Sequence, residues 1–449
     1  MNYRDHTEGS IIGSIMRMGL PSMIGFASSN FYDVVDMFWV AKLGPESVAA
    51  ITIFFSFYWV ISSSNMIAGA GSVAVISRRY GEKNIEYTEA AIKDAILLKW
   101  MLAIACGGIG YILLSTALDL LGAEGRVLEL AFDYGTVQLI GIGFSFSSYT
   151  MYTALRGVGD PNKAMILMVS GVILNLILDP FLIFGWWIFP EMGVVGAALS
   201  SVIAYSYTFI AGMIIFYGGF TSVRLYVRGK VPVNVSRMMK MMKIGFPSGI
   251  SSISFSLARM VIMPIIAIFG TSVVAVYGMG TRVSALGITV IVGMGLGLAA
   301  LIGQTLGAAK LERAKQTANT ALIFAVALMG SFGAIYFVGA PIIVRFFFTE
   351  EPLVSLGITL IRIFALAMPA IGMEITMEMI YSGAGENKTP MFFSILSSWG
   401  FQIPFILLAV KVMEFNQNGV WWAMVAASVL TASLFFIWFR KGKWLKVQV

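Results

Sequence analysis

The chain has 449 residues, of which 58% are hydrophobic and only 12% charged; its mean hydropathy is +0.85 and its formal net charge +7. A soluble chain of that length folds as two or three domains with about one residue in four charged. The composition therefore excludes a soluble enzyme, a disordered chain and a nucleic-acid binder, and leaves an all-α polytopic membrane protein with apolar residues enough for about twelve spans of about 20 residues each.

The polar start, MNYRDHTEGS, holds the only histidine, His6. The apolar run after it is too long for a signal-peptide core and lacks a small-residue cleavage pattern, so it is read as the first span. Twelve spans follow in order: 11-41, 47-77, 88-117, 127-156, 161-189, 193-219, 238-268, 272-304, 314-343, 352-382, 388-411 and 417-439. Several exceed 25 residues, which implies tilt or kinks. Cys106 is the one cysteine. No intramolecular disulfide can form, and thiolate or histidine metal chemistry within the membrane is excluded.

Loop charges set the expected orientation. With both termini inside, the outer loops carry Lys42, Arg126, Arg345 and Lys411. The inner segments carry a much larger set, including Arg4, Arg17, Arg78, Arg79, Arg156, Lys163, Arg224, Arg237, Lys310, Arg313 and Lys441. The positive-inside rule then places both termini in the cytoplasm of a cell-membrane protein. Lys93, Lys99, Arg259, Arg282 and Arg362 fall within spans.

An internal repeat organises the chain. GLPSMIGF from Gly19 and GFPSGISS from Gly245 align at an offset of 226 residues. The same offset relates Gly44 to Gly270, Gly71 to Gly297, Gly81 to Gly307, Gly157 to Gly383 and Gly159 to Gly385. Each half holds six spans, an even number, so the repeats are parallel and related by an axis along the membrane normal, a symmetry used for alternating access. The expected organisation is an N-lobe at 10-219, a basic cytoplasmic linker at 220-237 and a C-lobe at 238-440.

Charges in hydrocarbon cost about 2.5–3.5 kcal/mol each on insertion scales, so acids within spans are the first functional candidates. Asp33 and Asp36 stand three apart in the first span, and Asn175 and Asp179 four apart in the fifth, spacings that share a helix face. Pro180 frees the carbonyl of Leu176 from its usual amide partner. Carboxylates, an amide oxygen and a free carbonyl make a set of hard oxygen ligands for Na+. Carboxylates held close in low dielectric cannot all ionise, so the same set can load and release a proton. The competing reading for Asp33 and Asp36 is solvation near the outer interface, because a loop begins near Lys42.

The repeat erases this set in the second half, where the offset lands on Arg259, Ile262, Phe401 and Phe405. The second half instead carries Arg259 with Glu374 and Glu378 in the tenth span, which predicts an ion pair of Arg259 with one of the glutamates, structural or coupling. The 28 methionines and many aromatic residues serve mostly as lipid-facing and core groups. Met23, Tyr149, Tyr152, Met168 and Met260 are candidates to line a cavity for flat lipophilic cations. The glycine-rich GAGSV (from Gly69) and GMGLGL (from Gly293) lie in spans and read as close helix packing. No GxxxxGK[ST] motif is present.

VDMFWVAKLG (Val35–Gly44), ALRGVGDPNKAM (Ala154–Met165), NLILDPFLIFG (Asn175–Gly185), GVVGAALSS (Gly193–Ser201) and YSGAGENKTPM (Tyr381–Met391) together resemble the multidrug and toxic compound extrusion (MATE) family. The likeness runs from about residue 10 to 440 and is similar to the prokaryotic branch named for DNA-damage-inducible protein F. It implies a V-shaped pair of six-helix lobes exporting drugs and organic cations in exchange for H+ or Na+, with no other cofactor. It also implies a cation site at Asp36, Asn175 and Asp179. Ser201 stands where relatives often have threonine. MYTALR lacks an asparagine that relatives frequently carry, and Asp33 adds a charge commonly absent in them. A lipid-linked oligosaccharide or lipid flippase of the same superfamily is the alternative, although flippases usually have fourteen spans and basic cavities. A membrane-embedded enzyme would need histidines, cysteines or a serine dyad in the spans. One chain contains both lobes, so a monomer in the bilayer suffices.

Overall fold

A computed structural model describes residues 6–447 and 449; Arg4 of the inner charge set lies outside them. The described residues form helices and connecting turns, with no strand. In the N-terminal half these are α1 Ile11–Ala41, α2 Pro45–Gly81, α3 Ile85–Leu120, α4 Gly125–Ile140, α5 Ile142–Gly157, α6 Pro161–Phe184 and α7 Gly193–Tyr217. The C-terminal half comprises α8 Val235–Ala267, α9 Thr271–Gly307, α10 Leu311–Phe347, α11 Glu351–Ala384, α12 Lys388–Ile395, α13 Ile403–Leu407 and α14 Gln417–Phe439.

Two expected spans are irregular. The span at 127-156 is broken, with α4 and α5 meeting at 51°. The break falls at Gly141 and Gly143, whose absent Cβ atoms would lie 2.3 Å from Val202 and 2.4 Å from Trp100. Side chains of α7 and α3 thus press against bare backbone, and glycine supplies the bend. The span at 388-411 runs as α12, a π-helical stretch Leu396–Gln402, α13 and a second π-helical stretch Leu408–Val412. Wide π turns accommodate Pro404, which has no N–H to donate. With the bent pair taken as one, twelve spans are long and apolar enough to cross a bilayer.

His6 and Val449, the outermost described residues, lie at one end of the bundle. His6 Nε2 sits 3.0 Å from the Gly159 carbonyl at the α5–α6 turn, and Arg79 donates to the Val449 carbonyl at 2.7 Å. Gly44 and Gly270 open α2 and α9 at the far end with φ +112° and +101°, and Gly159 and Gly385 make turns at the terminus end with φ +77° and +83°. These are repeat mates, each held where a side chain would be strained.

The lobes meet at the terminus end. A Cβ on Gly81 would lie 2.0 Å from the Gln304 carbonyl oxygen, and one on Gly307 would lie 2.1 Å from that of Arg78. The 226-residue offset maps one contact onto the other, so the interface carries the two-fold of the repeat. Gly71 against Met241, Gly245 against Ile67 and Gly297 against Met18 repeat the same bare backbone-on-backbone approach. Small residues allow that approach between apolar helices. The start of α1 is shared between the lobes, because Ile15 and Met18 belong to a core with Leu298, Leu301, Tyr381 and Phe435. Among the described residues, the cross-lobe hydrogen bond farthest from the termini joins Asn30 Nδ2 to Thr289 Oγ1, 3.0 Å apart near the middle of α9. Beyond it the two lobes have separate cores, one built on α2, α4 and α7 and the other on α9, α11 and α14.

The segment between the lobes and the first turn of α8 are pinned to the N-lobe. The Tyr226 backbone N–H donates to Glu89 Oε1 (2.9 Å), Lys93 reaches both Glu89 and the Tyr226 carbonyl, and Arg237 Nε donates to the buried Asp94 Oδ2 at 2.5 Å.

Candidate functional site

Three helices of the N-lobe, α1, α6 and α7, bring together Asp36, Asn175, Asp179, Ser200 and Ser201. Asp36 is 4% exposed, and the other four are still more deeply buried. Why they meet follows from local sequence. Asn175 and Asp179 stack one turn apart on α6, and Gly196 and Ala197 let α7 approach that face closely, a Gly196 Cβ lying 2.3 Å from the Leu182 carbonyl oxygen. Ser200 Oγ then reaches Asp179 Oδ1 at 2.5 Å. The Asn175 amide is satisfied with its NH2 donating to Asp179 Oδ2 (3.2 Å) and its oxygen accepting from the Ser201 backbone N–H (3.2 Å), an orientation assigned from the bonding network. Tyr32 Oη and Ser201 Oγ are 2.6 Å apart, and Ser201 Oγ also donates to the Ala197 carbonyl.

Asp179 is thus fully hydrogen-bonded, whereas Asp36 Oδ1 is buried with no hydrogen-bond partner among the described residues. Asp36 and Asp179 lie within electrostatic reach of each other. A buried carboxylate beside a second one, without a donor, costs several kcal/mol unless a proton or a cation neutralises it. The carboxyl and hydroxyl oxygens present suit either. Asp33, one turn before Asp36, stands on the exposed side of α1. Among the described residues no three His, Cys, Asp or Glu side chains gather as a metal cluster, so any cation held here would rest on two carboxylates and neutral oxygens.

The expected ion pair of the C-lobe does not form. Among the described residues Arg259 makes no salt bridge; its guanidinium lies over the Phe255 ring, 5.8 Å from the centroid. Depth is the reason. Arg259 is near the far end of α8, about 12 Å from its last residue by helix rise, while Glu374 is about 35 Å along α11 from that same end. Glu374 is half-buried with Oε1 unpartnered among the described residues, and Glu378 is exposed one turn on.

The cavity candidates separate in the same way. Tyr152 and Met168 are buried in the N-lobe core, where Met168 fills the space that Gly25 leaves on α1. Tyr149 is half-buried beside Gly69, and Met23 packs its backbone on Gly293 at the lobe junction. Met260, 70% exposed, stands apart near the far end of α8. Sequence reasoning missed Tyr32 and Ser200. Ser200 adjoins Ser201 and Tyr32 adjoins Asp33, but neither carries a signal until α7 is docked on α6 and α1.

The MatE family model matches residues 21–181 and 247–408, one segment in each lobe. A probable multidrug resistance protein of Bacillus subtilis, YoeA, is 24% identical over 99% of this chain and 96% of its own length. An FAD transporter of Shewanella oneidensis is 30% identical over 69% of this chain and 68% of its own. The crystal structure of a MATE protein in the bent conformation superposes with a TM-score of 0.90 at 25% identity, covering 97% of this chain and 96% of the other.

Proposed function

The chain belongs to the MatE family of membrane transporters, and on that premise we propose that it is a multidrug efflux antiporter that exchanges its cargo for H+ or Na+ by alternating access. The observation that carries the reading is the unpartnered, buried Asp36 Oδ1 beside the hydrogen-bonded Asp179. In this reading Asp36 and Asp179 load the coupling ion from the far side. Asn175, Ser200 and Ser201 orient Asp179 and supply neutral oxygens, and Tyr32 fixes Ser201. Asp33, at the exposed surface of the same helix, draws cations toward the site. Filling the site repacks α1 against α6 and α7. Because α1 also runs through the lobe junction at Met18 and Met23, the repacking reaches the contacts that close the terminus end.

A positively charged drug leaving an inside-negative cell works against about 2.3 kcal/mol per charge per 100 mV, and an entering monovalent cation offsets that amount. Coupling is reciprocal, so bound cargo disfavours the ion and bound ion disfavours cargo. The two lobes of one chain complete the machine as a monomer in the plasma membrane, with both termini cytoplasmic.

The test is uptake of a fluorescent cationic dye into proteoliposomes under a proton gradient or a sodium gradient imposed separately. Wild type is compared with Asp36→Asn and Asp179→Asn. The expected result is uptake under at least one gradient, abolished by both substitutions in protein that still elutes as a single folded species. Uptake unchanged in both variants would overturn the assignment of the N-lobe site and move the search for coupling to Glu374 and Glu378.

A further inference from the structure

The other half of the N-lobe carries the opposite charge. Lys99 on α3 is 0% exposed and Arg156 at the end of α5 is 2% exposed. Among the described residues neither forms an ion pair. Lys99 Nζ donates to the Asn65 side-chain oxygen and to the Asn65 carbonyl on α2, both neutral groups, and lies 5.2 Å from the Tyr149 ring centroid. The Arg156 guanidinium has one polar contact among the described residues, the sulfur of Met168 at 4.0 Å. The phenols of Tyr149 and Tyr152 lie within its electrostatic reach. Tyr149 thus stands between the two cations. Along the helices from the terminus end, Arg156 is one residue from the end of α5 and Lys99 about 21 Å along α3, whereas Asp179 is about 27 Å along α6 and Asp36 lies toward the far end of α1.

Two buried cations without a carboxylate are costly in a membrane protein, and such residues mark a ligand or ion path with a partner to be named. Here the described residues supply no such partner. The groups against the two cationic heads, Asn65, Tyr149 and Met168, belong to the N-lobe, and the C-lobe touches the turn that carries Arg156. Gln304 Nε2 on α9 donates to the carbonyls of Gly157 (2.9 Å) and Arg156 (3.4 Å), so the backbone at Arg156 is held by a cross-lobe bond. Parting the lobes at the terminus end breaks that bond and frees the turn that carries Arg156, while half-buried Tyr149 and Asn65 stand between the surface and Lys99.

We infer that the terminus-end half of the N-lobe receives the anionic group of the cargo, a carboxylate or phosphate ester, with Lys99 and Arg156 as its counter-cations and Tyr149 as the aromatic wall between them. The inference rests on the export reading above and adds to its cargo amphiphiles that carry an anion on an aromatic body. Asp36 and Asp179 are left free for the coupling ion. Loading of the anion from the terminus side and of the cation from the far side then use the two ends of one lobe.

The probe is flavin mononucleotide against riboflavin, the same fluorescent ring with and without a phosphate. Binding is measured by fluorescence anisotropy on protein in neutral-lipid nanodiscs, for wild type, Lys99→Met and Lys99→Arg. A cationic dye is followed in parallel by proteoliposome transport. The expected result is wild-type binding of the phosphorylated ring at least about ten-fold tighter than riboflavin. Lys99→Met loses that preference while riboflavin binds as it does to wild type, and Lys99→Arg restores it. A structural role for Lys99 would instead impair every ligand alike. The experiment is repeated with phosphatidylglycerol in the disc. Competition by that lipid keeps the anion site and names a lipid headgroup as its source. Equal binding of the two flavins, no binding of either, or a preference that survives in Lys99→Met overturns the inference. If dye transport persists in those cases, the export reading stands; if wild type moves no dye either, the export reading falls separately.

Discussion

Gly81→Ala should force the lobes apart at the terminus end. The new Cβ would sit 2.0 Å from the Gln304 carbonyl oxygen, where a carbon and an oxygen need about 3.3 Å, so α2 and α9 must separate by about 1.3 Å locally. Gln304 is held by its own bonds to Gly157 and Arg156 and cannot simply turn away. Overpacking of this kind costs about 1–3 kcal/mol. The cost falls on the arrangement closed at the terminus end and vanishes once the lobes part there, so the ratio of the two arrangements should shift by about 5- to 150-fold. Double electron–electron resonance between labels at the exposed positions Val34 and Met260, one on each lobe and both toward the far end, reads the shift after Cys106→Ser removes the native thiol. The expected change is a new population with a shorter distance. Gly307→Ala, the two-fold mate, should produce the same shift. Gly108→Ala, where nothing lies within 4 Å of the added atom, should produce none. A folded Gly81→Ala protein with an unaltered distance distribution, or a Gly108→Ala protein that shifts as far, refutes the reasoning.

Other substitutions probe the rest of the frame. Arg237→Ala leaves Asp94, 0% exposed, with the Asn234 backbone N–H and no cation, and should lower stability by about 3 kcal/mol; a reduced apparent melting temperature in detergent checks this, and an unchanged one would show that the linker is not tied to the N-lobe through this pair. Arg259→Ala removes an exposed guanidinium that lies over Phe255 and makes no salt bridge among the described residues, so melting temperature and gradient-driven dye uptake should stay within error of wild type; a loss of uptake would restore a role for Arg259 in the C-lobe.

How much of this was legible in the sequence differs from residue to residue. The first span was readable to its boundaries because apolar length and the flanking Ser10 and Lys42 fix a helix locally. The pairing of Asn175 with Asp179 was readable because helical spacing alone stacks residues four apart. The break at Gly141 and the π turns around Pro404 were not, since each depends on what packs against that helix from outside. The Arg259–Glu pair failed because sequence pairs opposite charges without regard to depth, and antiparallel helices placed these at different levels of the bundle. Ser200 and Tyr32 were invisible for a related reason: a hydroxyl gains a role only when a second helix aims it.

The amino-acid sequence by itself determined the class of the protein, its two-fold repeat and the acids that bilayer energetics would not tolerate without a purpose, because these follow from composition, periodicity and the cost of charge in hydrocarbon. The repeated glycines were visible as a register, Gly81 with Gly307 and Gly71 with Gly297. Their task, letting two lobes touch backbone to backbone at one end, was decided only by the tertiary structure. So was the order of charge along the N-lobe, with Arg156 at the terminus end, Lys99 nearer mid-depth and the carboxylates beyond it. Both depend on which helices pack and at what depth, and no local pattern in one helix encodes its neighbour.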